Sequence, residues 1–262
     1  MCFPPGARPP EIPSDLRPIS GGAGGEDAIL TSSDGATFRS FIAPAPDGDA
    51  GVIIAPDVRG LHRFYEELAE RFASARVHAI AIDYFGRTAG TSRRPDDFAF
   101  QEHVTAARAR PDLIQADVAA AAAELRTRTG AERVFVLGFC MGGRVAFNAS
   151  AEQEGLAGVI GFYGVTRKRD ESDTDAPMEK VARMRAPILG LFGGADGGIP
   201  PEDNATFDKA LDERKLTHHI VTYPGAPHSF FDRQFAQYAG ECEDAWRRVL
   251  GFIATGDPKA VK

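Results

Sequence analysis

Six short, nearly continuous apolar runs alternate with helix-like stretches along most of this chain, and that alternation limits the fold more than any other feature. The runs are GVIIAPD (51–57), VHAIAIDY (77–84), RVFVLGF (133–139), AGVIGFYG (157–164), APILGLFGG (186–194) and HHIVTYPG (218–225). Strands apolar at almost every position are buried on both faces, as in a mainly parallel sheet with helices above and below it. Between them, HRFYEELAERFASA (62–75), PDLIQADVAAAAAELRTRT (111–129), GRVAFNASA (143–151), FDKALDER (207–214) and a stretch over roughly 241–255 read as helices. In the clearest of these, Ile114, Val118, Ala121 and Leu125 form one stripe, with Pro111 and Gly130 marking the ends. Upstream, the runs AILTSS and ATFRSFIAP flank Asp34 and Gly35, a pair suited to the positive φ angles of a hairpin. The expectation is one doubly wound α/β domain over 26–262, mainly parallel, with antiparallel N-terminal edge strands.

Residues 1–25 are expected to form a flexible tail. The opening MCFPPGARPPEIP holds Pro4, Pro5, Pro9 and Pro10, lacks the apolar core of a signal peptide, and is followed by the glycine-rich stretch 21–25. A chain of 262 residues with 43% apolar content suits one large domain. Its charge of −7 and pI near 5.4 argue against a nucleic-acid partner. No run approaches the ~20 apolar residues of a membrane span. Three cysteines, Cys2, Cys140 and Cys242, give no disulfide framework, and no Cys-x-x-Cys or His-x-x-x-His spacing supports a metal site. The default expectation is a cytoplasmic monomer or homodimer that needs no metal or cofactor and acts on a small molecule. The mixed-charge run TRKRDESDTD (166–175) reads as a solvated loop rather than a binding patch.

In open parallel sheets, reactive residues gather beyond the carboxyl ends of the strands. The run 133–139 leads into Gly138-Phe139-Cys140-Met141-Gly142-Gly143 and then a helix, a Gly-x-nucleophile-x-Gly elbow with Cys in place of Ser. A β-carbon at 138 or 142 is expected to collide with neighbouring chain. The turn places the thiol at a helix N-terminus, which favours thiolate, and aims the Met141 amide as an oxyanion donor. Two plainer readings are a phosphate-binding turn and a buried cysteine acting as a small hydrophobe. The G-x-G-x-x-G and Walker patterns are not met. Chain order favours chemistry: the run 186–194 leads to Asp196 and the run 218–225 to His228, giving the order nucleophile, acid, base. Cys140, His228 and Asp196 are therefore the expected triad. His78, His218 and His219 fall within strand-like runs, whereas His62 and His103 are placed to line a pocket at most. Asp203 reads as a first-turn helix acid, Cys2 as a tail thiol and Cys242 as a small helix residue.

These motifs, Gly-Phe-Cys-Met-Gly-Gly at 138–143, Gly-Ala-Asp at 194–196 and Gly-Ala-Pro-His-Ser-Phe at 225–230, resemble those of the dienelactone hydrolase (carboxymethylenebutenolidase) family over roughly 30–255. The resemblance implies an α/β-hydrolase fold and a carboxylic ester hydrolase with a thiol nucleophile, acting on an ester or enol lactone without a metal. It implies that Asp57, where the family usually has Glu, lies near the thiol and governs its ionisation, and that Val58 gives the second oxyanion amide. It also implies that Arg87 grips a substrate carboxylate, a task suited to a guanidinium, and that Ser229 and Phe230 lie on the substrate side. Four residues beyond the histidine the family's well-studied members carry an arginine; here Asp232 stands there, followed by Arg233. The plain readings of Asp57 and Arg87 are a turn residue and a surface arginine. Two alternatives to the lactone reading are an esterase or thioesterase of the same fold for neutral substrates, and a non-catalytic ligand-binding protein.

Overall fold

A computed structural model describes residues 8–16, 24–95, 97–232 and 234–262. Among these residues eight strands form one sheet: β1 (Glu26–Thr31), β2 (Thr37–Ala43), β3 (Ala50–Ala55), β4 (Val77–Ile82), β5 (Arg133–Phe139), β6 (Gly158–Phe162), β7 (Ile188–Gly193) and β8 (His218–Tyr223). Their spatial order is β1-β2-β4-β3-β5-β6-β7-β8. The hairpin β1–β2 and the β2–β4 pair are antiparallel and the remaining neighbours are parallel. The six apolar runs are thus the six strands from β3 to β8, and β3 to β7 are buried along almost their whole length.

Among the described residues eight α-helices accompany them: α1 (Arg63–Ser74), α2 (Gly86–Ala89), α3 (Gln101–Ala109), α4 (Pro111–Thr129), α5 (Met141–Glu152), α6 (Pro177–Lys180), α7 (Pro201–Glu213) and α8 (Ala239–Thr255). The stripe Ile114, Val118, Ala121 and Leu125 is the buried side of α4. Trp246 of α8 meets Phe72 of α1 at 5.1 Å on one face of the sheet, while Phe147 of α5 meets Phe207 of α7 at 5.4 Å on the other. From β3 the chain passes through α1 to β4, then returns by α4 to β5 on the opposite side of β3. The carboxyl ends of β3 and β5 therefore flank the point where strand order reverses, the place where open α/β sheets form a crevice.

Residues 8–16, expected within a flexible tail, pack against α1 and α8. Ile12 is buried, the Trp246 indole donates to the Pro10 carbonyl at 3.2 Å, and Arg247 pairs with Asp15. Arg87 follows β4, and its guanidinium spans two distant carboxylates. Nε and Nη2 donate to Asp34 in the β1–β2 hairpin at 2.9 Å each, and Nη1 and Nη2 to Asp117 of α4 at 2.7 and 2.8 Å. His62 precedes α1 and is buried; burial, aided by the Arg59 charge, pushes its imidazole down to about 3.

Two stability predictions follow from these buried groups. Arg87→Met leaves the Asp117 carboxylate, fully shielded from solvent, without its cation and is expected to cost about 2–3 kcal/mol in urea denaturation. The double variant Arg87→Met, Asp117→Leu should recover most of that loss. For His62, the unfolded chain takes up a proton near pH 6.5 and the folded chain only near 3. The unfolded state binds more protons between those values, so stability falls as pH drops through that window and is level above it. Relative to His62→Asn, the wild type should lose about 3 kcal/mol between pH 7 and 4; parallel curves for the two proteins would overturn this.

Candidate active site

β5 ends at Phe139 and α5 begins at Met141, so Cys140 alone makes the turn. Its backbone is left-handed, φ 54° and ψ −109°, a conformation that costs about 1–3 kcal/mol and needs close support. The support is backbone against backbone. A β-carbon on Gly138 would come within 1.9 Å of the Gly142 carbonyl oxygen, and one on Gly142 within 1.9 Å of that of Ala55. The first turn of α5 is thereby pressed onto the end of β3. The Cys140 amide donates to the Phe162 carbonyl of β6 at 3.0 Å.

That contact brings the loop after β3 beside the elbow. Asp57 shapes the loop: its Oδ1 accepts from the Arg59 amide at 2.8 Å, its carbonyl from Gly60 at 3.2 Å, and its own amide donates to the Tyr65 hydroxyl at 2.9 Å. The Val58 amide has no protein acceptor among the described residues. Met141, first in α5, has an N–H with no intrahelical acceptor. One amide at a helix N-terminus and one on the loop packed beside it suit a negatively charged oxygen. Asp57 is fully buried; the phenol of Tyr84, bonded to the Pro56 carbonyl at 2.8 Å, is pushed up by burial and by the charges of Asp57, Asp83 and Cys140. Asp57 and Cys140 thus share Tyr84 as a neighbour.

Asp196 and His228 stand beyond β7 and β8. Asp196 is buried; its Oδ1 accepts from the Gly198 amide at 2.8 Å and its Oδ2 from His228 Nδ1 at 2.7 Å. The two loops touch directly, because a β-carbon on Gly193 would lie 2.3 Å from the Ala226 carbonyl oxygen, and Ala195 donates to that oxygen at 2.9 Å. With Nδ1–H committed to a carboxylate, the neutral imidazole carries its lone pair on Nε2. The ring lies 4.8 Å from that of Tyr163, the residue after β6. Tyr163 is at φ 39° and donates its hydroxyl to Asp232 at 2.9 Å. Phe139 and Phe162 are register partners, so Tyr163 and Cys140 occupy equivalent places on adjacent strands.

Cys140 is half-buried and lines a cavity. Met141, Val145, Ile114 and Val165 supply apolar wall, and Arg108, Arg144 and Arg169 supply cations. Several expected site residues are elsewhere. Arg87 is consumed by Asp34 and Asp117 and does not line this cavity. Phe230 is fully buried between Tyr163 and Tyr223, which makes it an anchor of the histidine loop rather than a substrate contact. Ser229 is also fully buried, at φ 62°. Asp232 holds Tyr163, and Arg233 lies outside the described residues. The run 166–175, read as a solvated loop, contributes Arg169 and Asp175 to the cavity wall.

The other candidates fall as their bland readings require. Asp203 is a first-turn acid of α7 paired with Arg167. His78 bonds Ala45 and Gly48 backbone, and His103 stacks on Phe98 at 5.0 Å. Burial pushes the Cys242 thiol up to about 12, and Cys2 is outside the described residues. Away from the cavity, Asp208, Asp212 and His218 bring potential metal-ligand atoms within 4.8 Å of one another. His218 already bonds Asp208 there at 3.1 Å and the Leu216 carbonyl at 2.6 Å. Tyr163 and the three cavity arginines were missed by sequence reasoning. A strand-end position was the available signal for Tyr163; the arginines had none. No described helix is long and apolar enough to cross a membrane.

Residues 38–256 match the profile of the dienelactone hydrolase family. A protein of Escherichia coli K12 provisionally named carboxymethylenebutenolidase is 30% identical over 240 residues, covering 86% of this chain and 87% of the relative. A Saccharolobus solfataricus protein with the same provisional name is 28% identical, covering 87% and 98%. Among solved structures, a provisionally assigned dienelactone hydrolase from Klebsiella pneumoniae superposes with a TM-score of 0.75 at 24% identity, covering 89% of this chain and all of that one, a likeness of fold. With its α/β-hydrolase sheet and this match over most of its length, the chain belongs to the dienelactone hydrolase family and is a hydrolase.

Proposed function

We propose that this hydrolase cleaves an ester or enol lactone with Cys140 as nucleophile, His228 as general base and acid, and Asp196 as the residue that orients the imidazole. The observation that carries the reading is the 2.7 Å bond from His228 Nδ1 to the buried Asp196 carboxylate, which fixes the tautomer of an imidazole at the same sheet edge as a strained, cavity-lining thiol. His228 takes the Cys140 proton on Nε2, and the thiolate adds to the substrate carbonyl carbon. The carbonyl oxygen becomes an oxyanion accepting from the amides of Met141 and Val58. As the tetrahedral adduct collapses, the C–O bond breaks and the imidazolium protonates the departing oxygen. Water then gives a proton to His228 and adds to the thioester; the thiolate leaves and the acid is released.

A thiolate leaves more readily than an alkoxide, so the first adduct goes forward best when the oxygen departs as a stabilised enolate or phenolate. That preference supports activated esters and enol lactones over alkyl esters. Arg87 has no part in this scheme. Asp57 acts through the loop it folds, and its burial beside Tyr84 favours a role in setting the charge around the sulfur.

Steady hydrolysis of p-nitrophenyl acetate should fall by about 10⁴-fold or more in Cys140→Ala and by about 10⁴-fold in Asp196→Asn, with the fold intact by circular dichroism. Undiminished turnover by Cys140→Ala would end the thiol reading.

A further inference from the structure

The 2.7 Å bond from His228 Nδ1 to Asp196 sets the tautomer of the imidazole and the position of one of its atoms. The direction in which Nε2 points depends on what else packs against the ring and on how the loop carrying it is held. The ring of Tyr163 packs there, 4.8 Å away between centroids and inclined by 55°.

Tyr163 is mounted on the elbow's side of the site. A β-carbon on Gly143 would lie 2.5 Å from the Phe162 carbonyl oxygen, and one on Gly164 would lie 2.5 Å from the Gly143 carbonyl carbon. The chain on both sides of Tyr163 is thus pressed onto the first turn of α5. The Tyr163 amide donates to the Leu191 carbonyl of β7 at 2.8 Å, which ties the same point into the sheet. With its backbone held at φ 39°, Tyr163 sends a fully buried side chain away from the elbow in a set direction.

The hydroxyl of that side chain reaches the histidine's turn. It donates at 2.9 Å to Oδ2 of Asp232, a buried acid four residues past His228. The Asp232 amide donates to the Ser229 carbonyl at 3.3 Å, which closes the turn. Phe231 also seats this turn, with its ring 5.8 Å from that of Phe139 and 4.7 Å from that of Phe162. Apolar contact of that kind is non-directional, whereas a hydrogen bond to a buried carboxylate fixes distance and angle. Neither Tyr163 nor Asp232 lines the cavity beside Cys140, so the pair is not placed to touch a substrate there.

We infer that Tyr163, tied to Asp232, is the positioning residue that fixes the His228 imidazole relative to Cys140. Asp196 holds the ring from β7; Tyr163 holds the ring and its turn from the platform that carries the sulfur. The bond acts on proton transfer between sulfur and nitrogen, which requires close alignment, and not on substrate binding. The inference rests on the reading of Cys140 as nucleophile and His228 as base.

The test follows p-nitrophenyl acetate hydrolysis. In Tyr163→Phe, which keeps the ring, and in Asp232→Leu, kcat should fall about 10–100-fold, the effect of a small misplacement of a reacting group, with KM within about twofold. Asp232→Asn retains an oxygen that accepts from the phenol and should keep most of kcat. In a His228→Ala background, Tyr163→Phe should change the residual rate by less than about twofold, because Tyr163 acts through the imidazole. Urea denaturation checks the fold of each variant, and Tyr163→Phe carries the test if Asp232→Leu does not fold. Wild-type kcat in Tyr163→Phe, a rise in KM alone, an Asp232→Asn variant as slow as Tyr163→Phe, or an equal fall in the His228→Ala background would overturn the inference while leaving the thiol reading standing. Wild-type turnover that survives Cys140→Ala would overturn the thiol reading, and this inference with it.

Discussion

The carbonyl oxygens of Ala55 and Gly142 occupy the space that side chains at 142 and 138 would need, and the candidate site depends on that close packing. It sets the direction of α5, and with it the placement of the helix N-terminus and the adjoining loop after β3. The left-handed backbone of Cys140 is tolerated because its amide is bonded to β6 and its carbonyl accepts from the Arg144 amide at 3.2 Å. The amide of Cys140 is spent on the sheet. The Met141 and Val58 amides are what the packing leaves open.

Charge is distributed with the same economy. Arg94 is buried against Asp83, Arg39 against Glu66 and Arg144 against Asp173, while the partly exposed Arg87 covers the buried Asp117. Desolvation cancels much of the attraction in such pairs, so their net contribution to stability is small while the loss of one partner is costly. Their geometric effect is larger. Arg87 ties the edge hairpin to α4, and Arg144 ties the 165–175 loop to α5. An acidic protein thereby keeps a cationic cavity, because its carboxylates are engaged elsewhere.

What was legible in the sequence was the part encoded by local periodicity. Apolar runs gave β3 to β8, the stripe on 111–129 gave α4, and the glycines around Cys140 gave the elbow. The alignment of Asp196 with His228 was legible from chain order at strand ends. What was not legible depends on partners distant along the chain. Nothing near Arg87 announces Asp34 or Asp117, 53 and 30 residues away. Phe230 lies beside a catalytic candidate in sequence, yet successive residues of a turn can face opposite sides, and its ring is in the core. The run 166–175 looks fully solvated because charge composition carries no record of the buried Arg144 that draws Asp173 inward. Ile12 is a single apolar residue among prolines and gives no periodic signal of its packing.

The clasp between Arg144 and the 165–175 loop has an architectural consequence. It grips the loop at its two ends, through the carbonyls of Val165 and Arg167 and the carboxylate of Asp173, and makes no use of the side chains at 168, 170, 171 or 172. The elbow and the loop are therefore held by separate means: the elbow by backbone packed against backbone at Gly138 and Gly142, the loop by a clasp that leaves its exposed middle out. Changes confined to that exposed middle would leave the sulfur, the imidazole and their supports undisturbed, because none of its side chains enters the clasp or the cavity wall.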